Sequence, residues 1–454
     1  MLSDKKFSRR QFLIGSLAVS GSVLAACAQQ AAPAESQQAG EAAEPAKAEE
    51  AAQAEAPPAE AINLVFHSRL GSHADWHKSR VPLFEEQHPG LKLQIDELPG
   101  DEMYPKIYAM AASKTLGDVV WTYLNTTPEH LQKGVIIPLD DIIAGRNFDT
   151  SVFWTAIIQV LTLDGKLYAV PNHGHYGTAV YYYNQNLYEE AGADIPNPDW
   201  TVDDLVAGAI KITKAPEIWG FRSAATGQEH IPSYLRMFGG ELLNPEGTQC
   251  LIAEEGSVKA LKWLYDLQFT HKVDPCNCGD TTRDNFVAGK VGCYNWTPGY
   301  AAEFSKITDW SFTWDATVGP VGPDGQRGSQ VSGAAFCVTT TSQHPNEAFQ
   351  VLEFFSTTED GIEHVYGGAG SPGPRDDVWN SERLNAFHGI FGVTQKAYPD
   401  GPAPWYYPAN SRTSEFIDTM NNNLQAIWTG SVEFEEGVEQ TRLLCQEVLD
   451  KESL

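Results

Sequence analysis

The sequence has little positive charge. Its 454 residues include 31 Lys and Arg against 59 Asp and Glu, so the formal net charge is -28. Nucleic-acid binding requires a basic surface, and adhesion to anionic lipid headgroups requires one as well. The composition therefore disfavours both classes of partner. The acidity bears on solubility and not on fold.

Aromatic residues are missing from residues 28–61, where Ala, Glu, Gln and Pro predominate without apolar periodicity. Such a stretch cannot bury enough surface to offset the entropy lost on ordering. We predict that it is a disordered tether. The chain that follows, residues 62–454, is long enough for two domains with full cores.

Familiar catalytic motifs are also missing. The sequence contains no G-x-S-x-G, no H-E-x-x-H and no G-x-x-x-x-G-K-[ST] phosphate-binding loop. A secreted glycan-cleaving enzyme needs two carboxylates about 5–10 Å apart across a cleft. Asp and Glu are abundant, but none lies in a recognisable catalytic motif, so we expect no enzyme activity, no cofactor and no metal.

The N-terminus has the features of an export signal. Four basic residues precede an apolar run, Phe12–Ala26, that is too short and too mild for a transmembrane helix. "SRRQFL", Ser8–Leu13, resembles the twin-arginine export motif, and "LAAC", Leu24–Cys27, resembles a bacterial lipobox. These resemblances imply a signal peptide over residues 1–26, lipidation of Cys27, a tether over 27–61 and an anchor on the outer face of the cell membrane. General export stays open, with Arg9 and Arg10 as simple n-region charge.

Six further cysteines follow Cys27, and six cysteines allow 15 pairings. Because disulfides are permitted outside the membrane, we expect one or two bridges from the set Cys250, Cys276, Cys278 and Cys293. The C-x-C spacing of Cys276 and Cys278 is not that of common zinc sites. Cys337 lies in the apolar run "GAAFCVTT" and is predicted to be a buried thiol.

Strand and helix patterns alternate along the body of the chain. "INLVFHS", "LKLQIDEL" and "DVVWTYL" read as strands, and the segment before Pro89 reads as a helix. This alternation predicts α/β layers with a mostly parallel sheet. Thr201 and Asp204 have the spacing of a capping box, and Asp118 is expected to be structural.

The residues from Asp164 onwards carry a family resemblance. "DGKLYAVP" is followed by "VYYYNQNLYEEAGADIPNPDWTVDDL", and "NFVAGKVGCYNWTPGY" and "NEAFQVLEFFSTTEDG" come later in the chain. In this order they resemble the extracellular solute-binding proteins of ABC sugar importers, the maltose-binding-protein-like group. "LGDVVW" departs from the family pattern, because Gly117 replaces its proline.

The resemblance implies an α/β, periplasmic-binding-protein type II fold with two lobes and a hinge that the chain crosses three times. Crossings near Gly174, Gln330 and Gly370 divide the chain. Lobe 1 would comprise residues 62–173 and 331–369, and lobe 2 residues 174–330 and 370–454. The implied function is the capture of a carbohydrate, expected to be an oligosaccharide, and its delivery to the membrane subunits of an importer by a monomeric, lipid-anchored protein.

Binding residues are expected in the loops after strands and at the crossings, since clefts open at the carboxyl ends of strands. Aromatic rings cover the apolar face of a sugar, and polar side chains bond its hydroxyls. Trp296 ranks first, because family relatives place a Trp at the matching position. The other candidates are Arg69, Trp76, Tyr123, Asn125, His173, His175, Tyr176, Tyr300, Arg375, Trp379 and Trp405.

Several alternatives stay open. A Trp can be core packing rather than a ligand platform, and Arg69 or Arg375 can pair with surface acids. An arginine facing the cleft would favour an acidic sugar. His173 and His175 could be a metal pair, but the sequence shows no third ligand. The ligand could also be a non-sugar solute such as glycerol phosphate or a polyamine, or the protein could be a ligand sensor.

Overall fold

The computed structural model describes residues 61–223, 230–275 and 282–453. The predicted signal peptide, Cys27 and the tether up to residue 60 lie outside these residues. The described strands are β1 (Ile62–Arg69), β2 (Leu91–Leu98), β3 (Val119–Tyr123), β4 (Thr162–Leu163), β5 (Lys166–Leu167), β6 (Val170–His175), β7 (Val180–Asn184), β8 (Trp219–Arg222), β9 (Val291–Trp296), β10 (Trp314–Val318) and β11 (Ser332–Val338).

Helices cover both sheets. The described α-helices are α1 (Ser72–Gln87), α2 (Met103–Ala112), α3 (Thr127–Gln132), α4 (Asp140–Arg146), α5 (Thr155–Leu161), α6 (Gln185–Ala191), α7 (Val202–Ile212), α8 (Ile231–Met237), α9 (Glu255–Phe269), α10 (Thr282–Val287), α11 (Tyr300–Phe304), α12 (Pro345–Phe354), α13 (Thr358–Tyr366), α14 (Asp376–Trp379), α15 (Glu382–Phe387), α16 (Ile390–Ala397), α17 (Thr413–Trp428) and α18 (Phe434–Leu449). Short 3₁₀ helices span Gly100–Glu102, Leu124–Thr126 and Thr150–Val152. In the part of the chain that the structure describes, no helix combines the length and the apolar character needed to cross a membrane.

Sheet 1 has the strand order β2-β1-β3-β11-β6. β1 pairs in parallel with β2 and β3, and Ile62 lies opposite Leu91. β11 is antiparallel to both β3 and β6. Phe66 of β1 and Phe336 of β11 are fully buried, with ring centroids 4.7 Å apart. The last strand to enter this sheet therefore lies inside it, next to the core.

Sheet 2 has the order β10-β7-β9-β8. Only β8 and β9 are parallel, while β7 is antiparallel to β9 and β10. The expectation of a mostly parallel sheet is wrong, because four of the seven described pairings in the two sheets are antiparallel. The physical reason is that β7 and β11 each enter from the other sheet, so no crossover helix sets their direction.

The chain passes between the sheets at two short segments. It leaves sheet 1 after His175 and enters sheet 2 at Val180, and it leaves β10 at Val318 and returns to sheet 1 at Ser332. A helical segment from α14 onwards completes the fold.

Two local predictions are confirmed. Thr201 caps α7 in a capping box with Asp204, whose carboxylate accepts from the Thr201 amide at 2.9 Å. The Asp118 carboxylate accepts a bond from the Val65 amide at 2.9 Å and one from the Ser342 hydroxyl at 2.7 Å. Asp118, which precedes β3, thus connects that strand to β1 and to the loop after β11.

The disulfide prediction is wrong for the two of its cysteines that lie in the described residues. Cys250 and Cys293 are buried free thiols. Cys293 lies inside β9 against the Tyr188 hydroxyl, and Cys250 lies next to the buried thiol of Cys445, which was not in the expected set. Cys276 and Cys278 lie outside the described residues. Cys337 is a buried thiol, as predicted.

Candidate functional site

The ends of β3 and β11 form one side of a pocket. Its lining includes Tyr123 at the end of β3, Asn125 just after that strand, Gln330 before β11, Gly333 within β11 and Trp405 from the C-terminal segment. Three of these residues, Tyr123, Asn125 and Trp405, are sequence candidates. Antiparallel pairing of β11 with β3 places Ala334 opposite Tyr123, so the end of β3 lies beside the start of β11.

Trp405 carries an unused hydrogen-bond donor in this pocket. Its side chain is buried, and its indole Nε1–H has no hydrogen-bond partner among the described residues. A buried donor without a partner is costly. An acceptor on a bound molecule, such as a hydroxyl oxygen, would satisfy it.

Arg69 lies beside the same pocket. Its guanidinium is 5.9 Å from the centre of the Tyr123 ring, and in the described part of the chain it forms no ion pair. It also packs at the position of Gly100. A cation over an aromatic face is favourable, so Arg69 is positioned by the ring rather than by an acid.

The end of β9 carries an aromatic platform. The Trp296 and Tyr300 rings are stacked, with centroids 5.5 Å apart and planes 17° apart, and His230 lies 4.6 Å from Trp296. Trp296 and Tyr300 are partly buried. The Arg283 guanidinium lies 5.8 Å from the Tyr300 ring and bonds to Glu303. Burial nevertheless raises the pKa of the Glu303 carboxyl.

This platform adjoins the predicted third crossing. A Cβ on Gly299 would lie 2.9 Å from the Ser371 amide and 3.0 Å from the Gly370 carbonyl carbon. The Lys306 ammonium donates to the Gly367 carbonyl at 2.9 Å. The loop after β9 therefore touches the segment that follows α13.

Four other candidates have scaffold contacts in this structure. Tyr176 is fully buried against Trp154 and Trp379, and its hydroxyl donates to Gln395 at 3.0 Å. Trp379 is also fully buried and donates to the Gly373 carbonyl. Trp76 is buried, and the Arg375 guanidinium makes two bonds to the carboxylate of Asp377. Arg375 thus pairs with an acid, which is one of the alternatives that the sequence left open for it.

His173 and His175 make different contacts and do not form a pair. The His175 Nδ1 bonds to the Gly177 carbonyl at 3.2 Å, whereas the His173 ring stacks on His73 and on His364, each with a centroid distance of 5.1 Å. Burial lowers the pKa of His73 to about 3 and that of His364 to about 4, so both rings are neutral at neutral pH. The sequence pointed to His173 but not to its two partners.

Other residues that the sequence analysis missed are His230 and Gln330. Gln330 marked a crossing in the sequence but was not proposed as a binding residue, although it lines the pocket with Tyr123. His230 follows a segment without a recognisable motif. Aromatic and amide side chains next to a predicted crossing are the signal that could have identified Gln330.

Two α/β sheet layers joined by short passages, with a pocket and an aromatic platform at strand ends, define a type II periplasmic-binding-protein fold, the class to which similar solved structures belong. A substrate-binding protein of an ABC transporter from Listeria monocytogenes, in complex with cycloalternan, superposes with a TM-score of 0.75 at 20% identity, over 86% of this chain and 99% of that one. The maltose-bound MalE3 of T. maritima has a TM-score of 0.72 at 20% identity, over 86% of this chain and all of the other.

The chain belongs to the bacterial extracellular solute-binding protein family, whose profile matches residues 80–386. The protein accordingly works outside the cytoplasm. An arabinooligosaccharide-binding protein of Halalkalibacterium halodurans is 23% identical over 73% of this chain and 76% of that protein. A protein of Brucella abortus is 25% identical over 77% of this chain and 84% of its own length.

Proposed function

We propose that this protein is the substrate-binding component of an ABC importer and that it captures a carbohydrate, most favourably an oligosaccharide, without breaking a bond in it. The observation that carries the proposal is the stacked Trp296–Tyr300 pair at the end of β9. Rings of this kind cover the apolar C–H face of a sugar. The sugar ligands of the similar structures and the arabinooligosaccharide-binding relative point the same way.

The polar part of the site would come from the pocket at the end of β3. The Trp405 indole N–H donates to a sugar oxygen, and Asn125 and Arg69 bond hydroxyls. Arg69 and Asn125 lie at or just after the ends of strands of sheet 1, whereas Trp405 lies in the C-terminal segment, in the same proposed lobe as the ring platform of sheet 2. A ligand between them is contacted from both sides, so it favours a closed form.

The proposed lobes follow the sheets. Lobe 1 comprises residues 62–173 and 331–369, and lobe 2 comprises residues 174–330 and 370–454. All strands of sheet 1 lie in the first set except for the last two residues of β6, and all strands of sheet 2 lie in the second. The hinge then comprises the passages near Gly174, Gln330 and Gly370.

The N-terminal features complete the proposal. Residues 1–26 direct export, Cys27 carries lipid, and residues 27–61 space the monomeric binding unit from the outer face of the membrane. The closed protein docks on the membrane subunits of the importer. Support for this part comes from the sequence alone, from the paired arginines and from the "LAAC" motif.

A thermal-shift and calorimetric screen of the purified full-length protein tests the function. We expect maltose, maltotriose or an arabino-oligosaccharide to raise the melting temperature, because a ligand at 100 times its Kd adds about 2.7 kcal/mol to the free energy of unfolding. Stabilisation by spermidine or glycerol phosphate but by no sugar would move the protein to the non-sugar class. New reducing ends in the incubated glycan would make it an enzyme.

Replacing the platform tests the site. Trp296→Ala is expected to weaken sugar binding about 30-fold, the equivalent of about 2 kcal/mol of buried apolar contact. Tyr366→Ala is the matched control, since it removes a ring that is 41% exposed and packs on Phe387. Equal affinities of the two variants would exclude Trp296 from the site.

A further inference from the structure

We propose that His73, His173 and His364 bind one transition-metal ion at the edge of sheet 1. The three residues come from α1, β6 and α13, so almost 300 residues of chain separate the first from the last. Each offers one ring nitrogen, and these three nitrogens lie within 4.8 Å of one another. No other set of three or more His, Cys, Asp or Glu in the described residues meets this criterion.

The geometry fits a small ion after minor movement. Zn–N bonds of about 2.0–2.1 Å in a tetrahedral site place the nitrogens about 3.4 Å apart. The ring nitrogens, which lie within 4.8 Å of one another, would therefore have to move closer together to bind the ion. Such movement is open to His73, which is partly exposed at the start of α1, while His173 and His364 are held inside the protein.

Hydrogen bonds leave a lone pair on each of the two buried rings. The Nδ1–H of His364 donates to the Ser371 carbonyl at 2.7 Å, and the Nδ1–H of His173 donates to the Asn172 side-chain oxygen at 3.1 Å. In both rings Nε2 is then the unprotonated nitrogen. A second bond from the remote N–H is the usual support of a metal-binding histidine, because it fixes the tautomer and the ring orientation.

Two ring nitrogens of the triad also lack a partner. Nε2 of His364 and Nδ1 of His73 are buried and make no hydrogen bond to any described residue. Buried polar atoms without partners require an explanation. Stacking of the rings does not explain the missing partners, because ring faces rather than nitrogens meet in a stack. An ion between the nitrogens would satisfy both at once.

The ligand set selects the kind of ion. Three neutral imidazoles without a carboxylate suit Zn²⁺, Cu²⁺, Ni²⁺ or Co²⁺ and not Mg²⁺ or Ca²⁺, which prefer oxygen. After burial, His364 and then the Arg69 charge lower the pKa of the His73 ring further. Three protein ligands leave one coordination position for water.

The site borders the segment proposed as the third crossing. A Cβ on Gly370 would lie 3.5 Å from Cε1 of His364 and 3.8 Å from Cε1 of His73. The carbonyl of Ser371 accepts the His364 bond. The metal site shares no residue with the Trp296–Tyr300 platform, but both lie next to Gly370 and Ser371.

Titration of the purified, untagged full-length protein with ZnCl₂ and CoCl₂ tests the proposal. We expect one ion per chain by calorimetry and by elemental analysis after desalting, and Co²⁺ should give the visible absorption of a four-coordinate site. His73→Gln and His364→Gln are each expected to raise the Kd for Zn²⁺ at least about 10-fold. His271→Gln is the matched control, since His271 is exposed and outside the triad.

Circular dichroism checks that each variant is folded. His73→Gln keeps the test informative if His364→Gln does not fold, because His73 is the partly exposed member. Absence of a stoichiometric ion in folded wild-type protein would overturn the proposal. So would an ion that His73→Gln binds as tightly as wild type, because that ion would lie elsewhere.

Discussion

The carboxyl group of Asp360 should make the stability of this protein fall as pH rises. Asp360 lies in α13, is 2% exposed, and accepts a bond from Nε of Arg80 at 3.2 Å. Burial raises its pKa to about 7, although the Arg80 charge acts in the opposite direction. The desolvation penalty is thus larger than the attraction of the ion pair, as is common for buried pairs.

The magnitude follows from proton linkage. In the unfolded chain an Asp titrates near about 3.9. Between that value and about 7 the folded protein holds a proton that the unfolded chain has lost, so the free energy of unfolding falls by about 1.4 kcal/mol per pH unit. Over about three units the loss is about 4 kcal/mol. The stabilising contribution is complete below pH 4 and is gone above pH 7.

Asp360→Asn removes this titration while preserving the shape of the side chain. We expect the difference in free energy of unfolding, wild type minus variant, to fall by about 4 kcal/mol from pH 4 to pH 8. Urea denaturation followed by tryptophan fluorescence, with EDTA present, measures it at each pH. Other titrating groups cancel in the difference.

Asp377→Asn is the control of opposite sign. The bonds from Arg375 lower the pKa of Asp377, so this carboxylate stabilises the folded state above its unfolded pKa and loses that effect in acid. The wild type minus Asp377→Asn difference should therefore not fall as pH rises. Parallel curves for wild type and Asp360→Asn between pH 5 and pH 8 would refute the reasoning, since they would mean that Asp360 is ionised beside Arg80.

Three further predictions concern the scaffold. Gly333→Ala should lower the free energy of unfolding, measured in urea, by at least about 2 kcal/mol. The reason is that Gly333 has φ of 143° and that a Cβ there would lie 2.3 Å from the His173 carbonyl oxygen. An unchanged denaturation midpoint would contradict this geometry. Thr201→Ala should cost about 1 kcal/mol in the same assay, through loss of the cap of α7, and rescue by Ser but not by Val would identify the hydroxyl as the cause. An added two-electron oxidant should join Cys250 to Cys445, because the two buried free thiols are neighbours. A peptide map of the oxidised protein without that cross-link would contradict this prediction.

Local patterns predicted the first three strands and the helix between them. β1, β2 and β3 lie where alternation or apolar runs placed them, and α1 ends at Gln87, before Pro89. The direction of strand pairing could not be predicted. β11 pairs with β3 across more than 200 residues, and no local property of "SGAAFCV" records its partner or its direction.

The candidate site, like the fold, could be predicted from the sequence only in part. A position at the end of a predicted strand identified Trp296 and Tyr123, and they are the last residues of β9 and β3. That these residues bind a ligand stays a prediction. For Tyr176 and Trp379, sequence position did not indicate that both rings turn into one aromatic core. The histidine triad depends on contacts between α1, β6 and α13, which a single sequence without homologues does not reveal.

The place of β11 within sheet 1 also bears on biosynthesis. β3 and β6 can be joined only after the ribosome has released residues 332–338, about three quarters of the way along the chain. Until then both strands keep an open edge, and closure over such sequence distances is slow. A nascent chain or a gene fragment that stops before Val338 should consequently be prone to aggregation, and a chaperone that shields those edges during translation would raise the yield.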